Sequence, residues 1–154
     1  MRLSVLPLRL TLKPEERIIV NGCIIRNAAR RQTLTIENHA DVVRGHDLLK
    51  EWEVTSPVRR VYFLIQTVLV AAELRDDYNP KIQKKLAELV TVFGSDHTAN
   101  ILTAANFVSL GDYYKALRAL SSVMKHENDL LNMMQPGDVS QVETTVEDTK
   151  EAVK

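Results

Sequence analysis

The chain has 154 residues, 45% hydrophobic and 26% charged, which is the size and composition of one globular domain and excludes a collagenous, fibrous or wholly disordered protein. Twenty Lys and Arg balance twenty Asp and Glu, which excludes a uniformly basic coat for nucleic acid. A lone cysteine, Cys23, excludes an intramolecular disulfide framework and a multi-cysteine metal cluster and points to a reducing compartment.

In chain order, residues 8–12 alternate apolar side chains with Arg9 and Thr11, the period of a half-buried strand, and Pro14 ends it. Residues 17–20 and 23–26 are β-branched runs flanking Asn21-Gly22, the dipeptide that supplies the two positive φ angles of a type I′ hairpin turn. Cys23, beside that turn, reads as a small buried hydrophobe. Residues 33–37 alternate again, with Leu34 and Ile36 on one face, and a further short strand is expected near residues 41–44.

The period changes at Ser56-Pro57, a good N-cap followed by a residue suited to the first helical position. A central helix is expected from there to about Asp77, with Val61, Leu64, Ile65, Val68, Ala71 and Ala72 inward and little polar surface elsewhere. Asp76-Asp77 reads as its end. Asn79-Pro80 restarts the pattern, with Ile82, Leu86, Leu89, Val90 and Phe93 inward as far as Gly94. Ser95 is expected to cap a third helix, with Ile101, Leu102, Ala105 and Val108 inward, that stops at Gly111. Asp112 caps a fourth, with Tyr113, Ala116, Leu117, Leu120, Met124, Leu131 and Met134 inward, ending before Pro136-Gly137. The fold class is α+β: a small N-terminal antiparallel β-sheet or partial barrel followed by an antiparallel four-helix C-terminal part. Residues 1–54 form a β-rich basic region, and residues 55–135 a helical region packed with it as one compact unit. Residues 136–154, with no useful period, read as a disordered acidic tail. The apolar run 61–72 falls short of the ~20 residues of a membrane span, and residues 1–12 lack a signal-peptide core, so a cytoplasmic protein without a membrane partner is expected.

Little in the chain carries catalytic chemistry. His39, His46, His97 and His126 lack metal-site spacing and read as solvated or capping residues, and no glycine-rich loop cradles a phosphate. No catalytic residue, metal or cofactor is expected. The charges say more, because their zero sum is uneven: +4 over residues 1–60, −1 over 61–137 and −3 over 138–154. Arg9, Arg17, Arg26, Arg30 and Arg31 fall in a segment, residues 1–36, where only Glu15 and Glu16 oppose seven basic residues. Two readings fit them: a solvated sheet face, or a surface for phosphate, onto which guanidinium forks as lysine cannot. Arg59 and Arg60 stand in the first turn of the central helix, against its macrodipole, which suggests an anion or an acidic partner there. The first aromatic in the chain is Trp52, so base stacking on the strands is not available and arginine contacts would have to bind any RNA. Tyr114, Met124, Met133 and Met134 suit either plain core or an adaptable surface for a partner helix.

Read together, Leu10-Thr11-Leu12-Lys13-Pro14-Glu15-Glu16-Arg17, then Asn21-Gly22, then Thr55-Ser56-Pro57-Val58-Arg59-Arg60-Val61-Tyr62-Phe63 and finally Tyr113-Tyr114-Lys115-Ala116-Leu117 resemble the FlbT family of flagellar biosynthesis repressors, in the same order from about residue 8 to residue 118. The resemblance implies a non-enzymatic, post-transcriptional regulator of flagellum assembly. It would bind the 5′ untranslated region of flagellin mRNA and promote its degradation or limit its translation, in concert with a small FlaF-type protein. The residues assigned to RNA are Arg9, Arg17, Arg26, Arg30, Arg31, Arg59 and Arg60, and those assigned to a protein partner are Tyr114, Met124, Met133 and Met134. The alternative is a protein-binding adaptor of flagellar assembly or export, engaging flagellin or a FlaF-type partner and acting on mRNA indirectly.

Overall fold

The computed structural model describes residues 6–134, so the tail expected over residues 136–154 lies outside the described residues. The fold is α+β. Strands β1 (Leu8–Leu12), β2 (Arg17–Val20), β3 (Cys23–Arg26), β4 (Gln32–Ile36) and β5 (Val42–Val43) precede helices α1 (Pro57–Val70), α2 (Arg75–Val92), α3 (Ser95–Ser109) and α4 (Tyr113–Met133). One compact unit spans Met1–Met124, and a second begins at Lys125, inside α4. No helix among the described residues is long and apolar enough to cross a membrane.

The strands form two antiparallel sheets, β1-β4 and β3-β2-β5. Strand β2 is covered on both faces: Ile18 packs with Leu10 and Leu12, while Ile19 belongs to the main core with Val43 and the helices. The β2-β3 hairpin closes through Asn21 (φ 48°) and Gly22 (φ 80°), both left-handed as a type I′ turn requires. The Asn21 amide and its Oδ1 each bond Asp41, at 2.9 and 2.8 Å, which ties the turn to the start of β5. A Cβ on Gly22 would stand 3.1 Å from the Leu69 carbonyl oxygen. Gly22→Ala is therefore expected to cost about 1–2 kcal/mol, measured as a fall in the urea midpoint, because the left-handed conformation and the close carbonyl both oppose a side chain. Strand β3 is a sheet edge and is exposed throughout, so Cys23 is exposed and not the buried hydrophobe expected.

Helix α1 is central. Val58, Val61, Tyr62, Ile65 and Val68 are at most 1% exposed, and no residue from 61 to 70 is fully exposed. Its β-branched residues oppose helix formation by about 3 kcal/mol in all, whereas burying five large side chains supplies roughly 10 kcal/mol. Packing therefore wins over propensity. The Ser56 hydroxyl accepts from the Arg59 amide at 3.3 Å, the N-cap the sequence predicts.

The helix ends at Val70 and not near Asp77. Arg75 reaches back so that Nε donates to the Val68 carbonyl at 2.9 Å and Nη2 to that of Leu69 at 3.3 Å, while its guanidinium lies 4.7 Å from the Tyr113 ring centre. These bonds satisfy the terminal carbonyls, and Ala72 turns out to solvent, not inward. Asp76 and Asp77 accordingly open α2, where its macrodipole favours them, and Pro80 lies inside that helix instead of starting it. Gly94 is the residue before α3 and Ser95 its first helical residue, so Ser95 is not the cap. After α3, the Gly111 amide donates to the Val108 carbonyl and the Asp112 amide to that of Phe107, the Schellman pattern, with Gly111 at φ 76°. Asp112 Oδ1 then accepts from the Lys115 amide at 3.2 Å and caps α4. Leu102, Leu131 and Met134, expected inward, are exposed, and Ala104 takes the buried place on α3.

Candidate functional site

The hairpin register sets Arg17 directly opposite Arg26. The Asn27 amide donates to the Glu16 carbonyl at 2.8 Å, so hydrogen-bonded pairs alternate from there and Arg17 with Arg26 is a non-hydrogen-bonded pair, the kind in which facing side chains stand closest. Both arginines are exposed. Glu15 Oε2 lies 3.7 Å from Arg26 Nε in an exposed ion pair.

Asn27 ties together the backbones next to the pair. It is 5% exposed, and its Nδ2 donates to the carbonyls of Lys13 and Arg30, each at 2.8 Å, and of Leu12 at 3.3 Å. The β1-β2 turn and the β3-β4 connection are thus pinned to one amide. The Glu15 amide adds a bond to the Ala28 carbonyl at 3.0 Å. Lys13 and Arg30 are thereby tied through their backbones to the residue that follows Arg26, and the side chains of Lys13, Arg30 and Arg31 are exposed.

Glu16 does not neutralise this surface, because Arg44 engages it. Arg44 Nε donates to Glu16 Oε2 at 3.2 Å and Nη2 to the Thr11 carbonyl at 2.9 Å, with the carboxylate side chain 11% exposed. The Lys13 amide donates to Glu16 Oε1 at 3.0 Å and is the main cause that holds this carboxyl below its usual range; burial opposes the shift and Arg44 adds to it. Sequence reasoning passed over Asn27 and Arg44, since an isolated Asn or Arg carries no local signature.

The remaining arginines stand apart from this group in their bonding. Arg9 lies opposite Thr35 in the β1-β4 sheet, exposed on the face away from Leu10. Arg59 is half-buried and donates through Nη1 to the Glu53 carbonyl at 3.2 Å and to Thr55 Oγ1 at 3.3 Å, so it braces the entry to α1; Arg60 is exposed. Of the residues assigned to a partner, Tyr114 and Met124 pack partly buried against the main core, while Met133 and Met134 are exposed near the end of α4.

A cleft of about 250 Å³ lies between Asn21-Gly22, Arg75 and the start of α4. It falls below the ~300–1,000 Å³ common for small-molecule sites, and Arg75 is occupied as a helix brace. A second cleft, about 230 Å³, is lined by Tyr62, Tyr114 and Ser121 among others. Burial pushes the Tyr62 hydroxyl up to about 12, with Asp47 adding to the shift, which keeps it a neutral donor to the Asp47 carbonyl at 2.6 Å. Neither cleft sets two like charges face to face as the β2-β3 hairpin does.

Comparison with known proteins places residues 8–131 under the profile of the flagellar protein FlbT. A probable flagellum biosynthesis repressor protein FlbT of Rhodopseudomonas palustris (strain TIE-1) is 34% identical over 130 residues, covering 82% of this chain and 99% of the relative. The flagellum biosynthesis repressor protein FlbT of Caulobacter vibrioides (strain ATCC 19089 / CIP 103742 / CB 15) is 27% identical over 133 residues, covering 86% and 94%. A probable FlbT repressor of Rhizobium leguminosarum bv. trifolii (strain WSM2304) is 29% identical over 138 residues, covering 88% and 92%. No solved structure matches the chain.

Proposed function

The chain belongs to the FlbT family of flagellar proteins, and on that premise we propose that it is a non-enzymatic cytoplasmic repressor of flagellin synthesis that binds the 5′ untranslated region of flagellin mRNA and promotes its degradation. The relatives' names support the repressor role. The observation that carries the RNA reading is the facing pair Arg17 and Arg26, with exposed Lys13, Arg30 and Arg31 on the connections next to the hairpin, opposed at the surface by Glu15 while Arg44 engages Glu16. With no aromatic side chain on the strands, recognition rests on guanidinium contacts to phosphate and base edges.

The test is a gel shift of the purified chain on a flagellin leader RNA across a salt series. Arg26→Ala, Arg30→Ala and Arg31→Ala combined should weaken binding at least about tenfold and flatten the log-log salt slope by roughly two to three. All three side chains are exposed, so melting should barely move. Unchanged leader affinity sinks the reading.

The second reading is an adaptor that engages flagellin or a FlaF-type protein and reaches mRNA indirectly. Leu130, Leu131 and Met133, exposed along the last turns of α4, with Met134 just past its end, favour it. Such a complex would survive high salt and ignore the strand arginines, so the same salt series separates the two.

A further inference from the structure

We propose that Arg17 and Arg26 form a two-pronged receptor for one phosphate group of a nucleic-acid backbone, the anchor of the wider basic surface. The ligand's source rests on the RNA reading above, and the geometry rests on the strand register alone. As a non-hydrogen-bonded cross-strand pair, the two residues leave the sheet on one face with Cα atoms about 4.5 Å apart. Like charges directly opposite each other oppose folding, and an anion seated between them would remove that cost. Glu15 offsets one charge at most, since its contact to Arg26 is 3.7 Å long and both side chains are more than half exposed. Among the described residues, no carboxylate forms an ion pair with Arg17.

The roots of the fork are held in place. On one side of the pair the Asn27 amide bonds the Glu16 carbonyl; on the other, Ile18 is fully buried. The Arg17 carbonyl itself packs against Gly45, where a Cβ would come within 2.9 Å of its oxygen. A phosphate oxyanion seated between the guanidinium groups would accept hydrogen bonds from both and remove their repulsion. Arg30 and Arg31, on the β3-β4 connection pinned by Asn27, would then meet flanking phosphates.

Inorganic phosphate, compared with sodium chloride at matched ionic strength, is the probe, and thermal melting is the readout. At a concentration about tenfold above a millimolar dissociation constant, phosphate should shift the folding equilibrium about tenfold and raise the melting temperature by about 3–5 °C. Arg17→Gln and Arg26→Gln should each abolish most of that rise while leaving, or slightly raising, the melting temperature in low-salt chloride. The general stabilisation that phosphate gives any protein persists in the variants and is subtracted. An absent phosphate response, or an equal one in both variants, overturns the fork even if the leader RNA binds. A response lost in both variants upholds it even if leader binding fails, so the two failures are told apart.

Discussion

Asn27→Ala should lower the stability of the chain by about 3 kcal/mol, because two amide N–H groups shared among three backbone carbonyls contribute about 1 kcal/mol each and the covered carbonyls left without a donor add about 1 more. For a chain of this length that corresponds to a fall of roughly 6–12 °C in melting temperature. Asn27 is 5% exposed and its Nδ2 serves Leu12, Lys13 and Arg30 at once, so no side chain without a donor substitutes for it. Asn27→Asp separates donation from packing: it keeps the volume but turns an oxygen toward three carbonyls. That variant should melt at or below the alanine variant, and melting unchanged from the parent would show that the amide bonds do not hold the hub. The same amide positions the backbones of Lys13 and Arg30, so leader RNA affinity should fall even at temperatures where the variant is fully folded.

The parts of this fold that the amino-acid sequence discloses are those whose causes lie within a few residues. Asn21-Gly22 dictates its hairpin because two left-handed residues suit a two-residue turn and little else, and the observed φ angles agree. Ser56-Pro57 and Gly111-Asp112 likewise start and stop helices through bonds that span three to five residues. The end of α1 is not legible locally because its cause is distant: Arg75 turns back onto the Val68 and Leu69 carbonyls against a ring from α4, and Asn79-Pro80 offers a louder but irrelevant local signal. The exposure of Cys23 is not legible in the sequence for a similar reason. An apolar run marks a strand there, but not whether a neighbour pairs with its outer side. At the candidate site, composition reveals the arginines of the front segment. That Arg17 faces Arg26, that Asn27 collects Lys13 and Arg30, and that Arg44 removes Glu16 from the charge balance are all consequences of pairing between segments up to 28 residues apart.

Glu16→Gln should cost about 2 kcal/mol at pH 7, the order of a charge-assisted bond lost from a mostly covered carboxylate. The cost should depend on pH in a defined direction. The folded chain holds this carboxyl below its unfolded value of about 4.3, chiefly through the Lys13 amide and secondarily through Arg44. A depressed folded pKa contributes stability that is complete above the unfolded pKa and is lost as pH falls through the folded one. The stability gap between parent and variant should therefore stay constant from pH 8 to about pH 5.5 and then narrow as pH falls below about 4. Urea midpoints measured across that range provide the check, and a gap that ignored pH would mean that the charge on Glu16 contributes nothing. Arg44→Lys should reproduce part of the loss, since an ammonium can meet the carboxylate but cannot also fork onto the Thr11 carbonyl. Gly45 completes the arrangement: a Cβ there would come within 2.8 Å of Glu16 Cγ, so the chain can bring Arg44 onto the carboxylate only because its next residue has no side chain. Engaging Glu16 in this way leaves Glu15 as the opposing charge at the arginine surface. Breaking the Arg44 bond should accordingly weaken leader RNA binding as well as the fold, through a carboxylate released at the β1-β2 turn by Lys13.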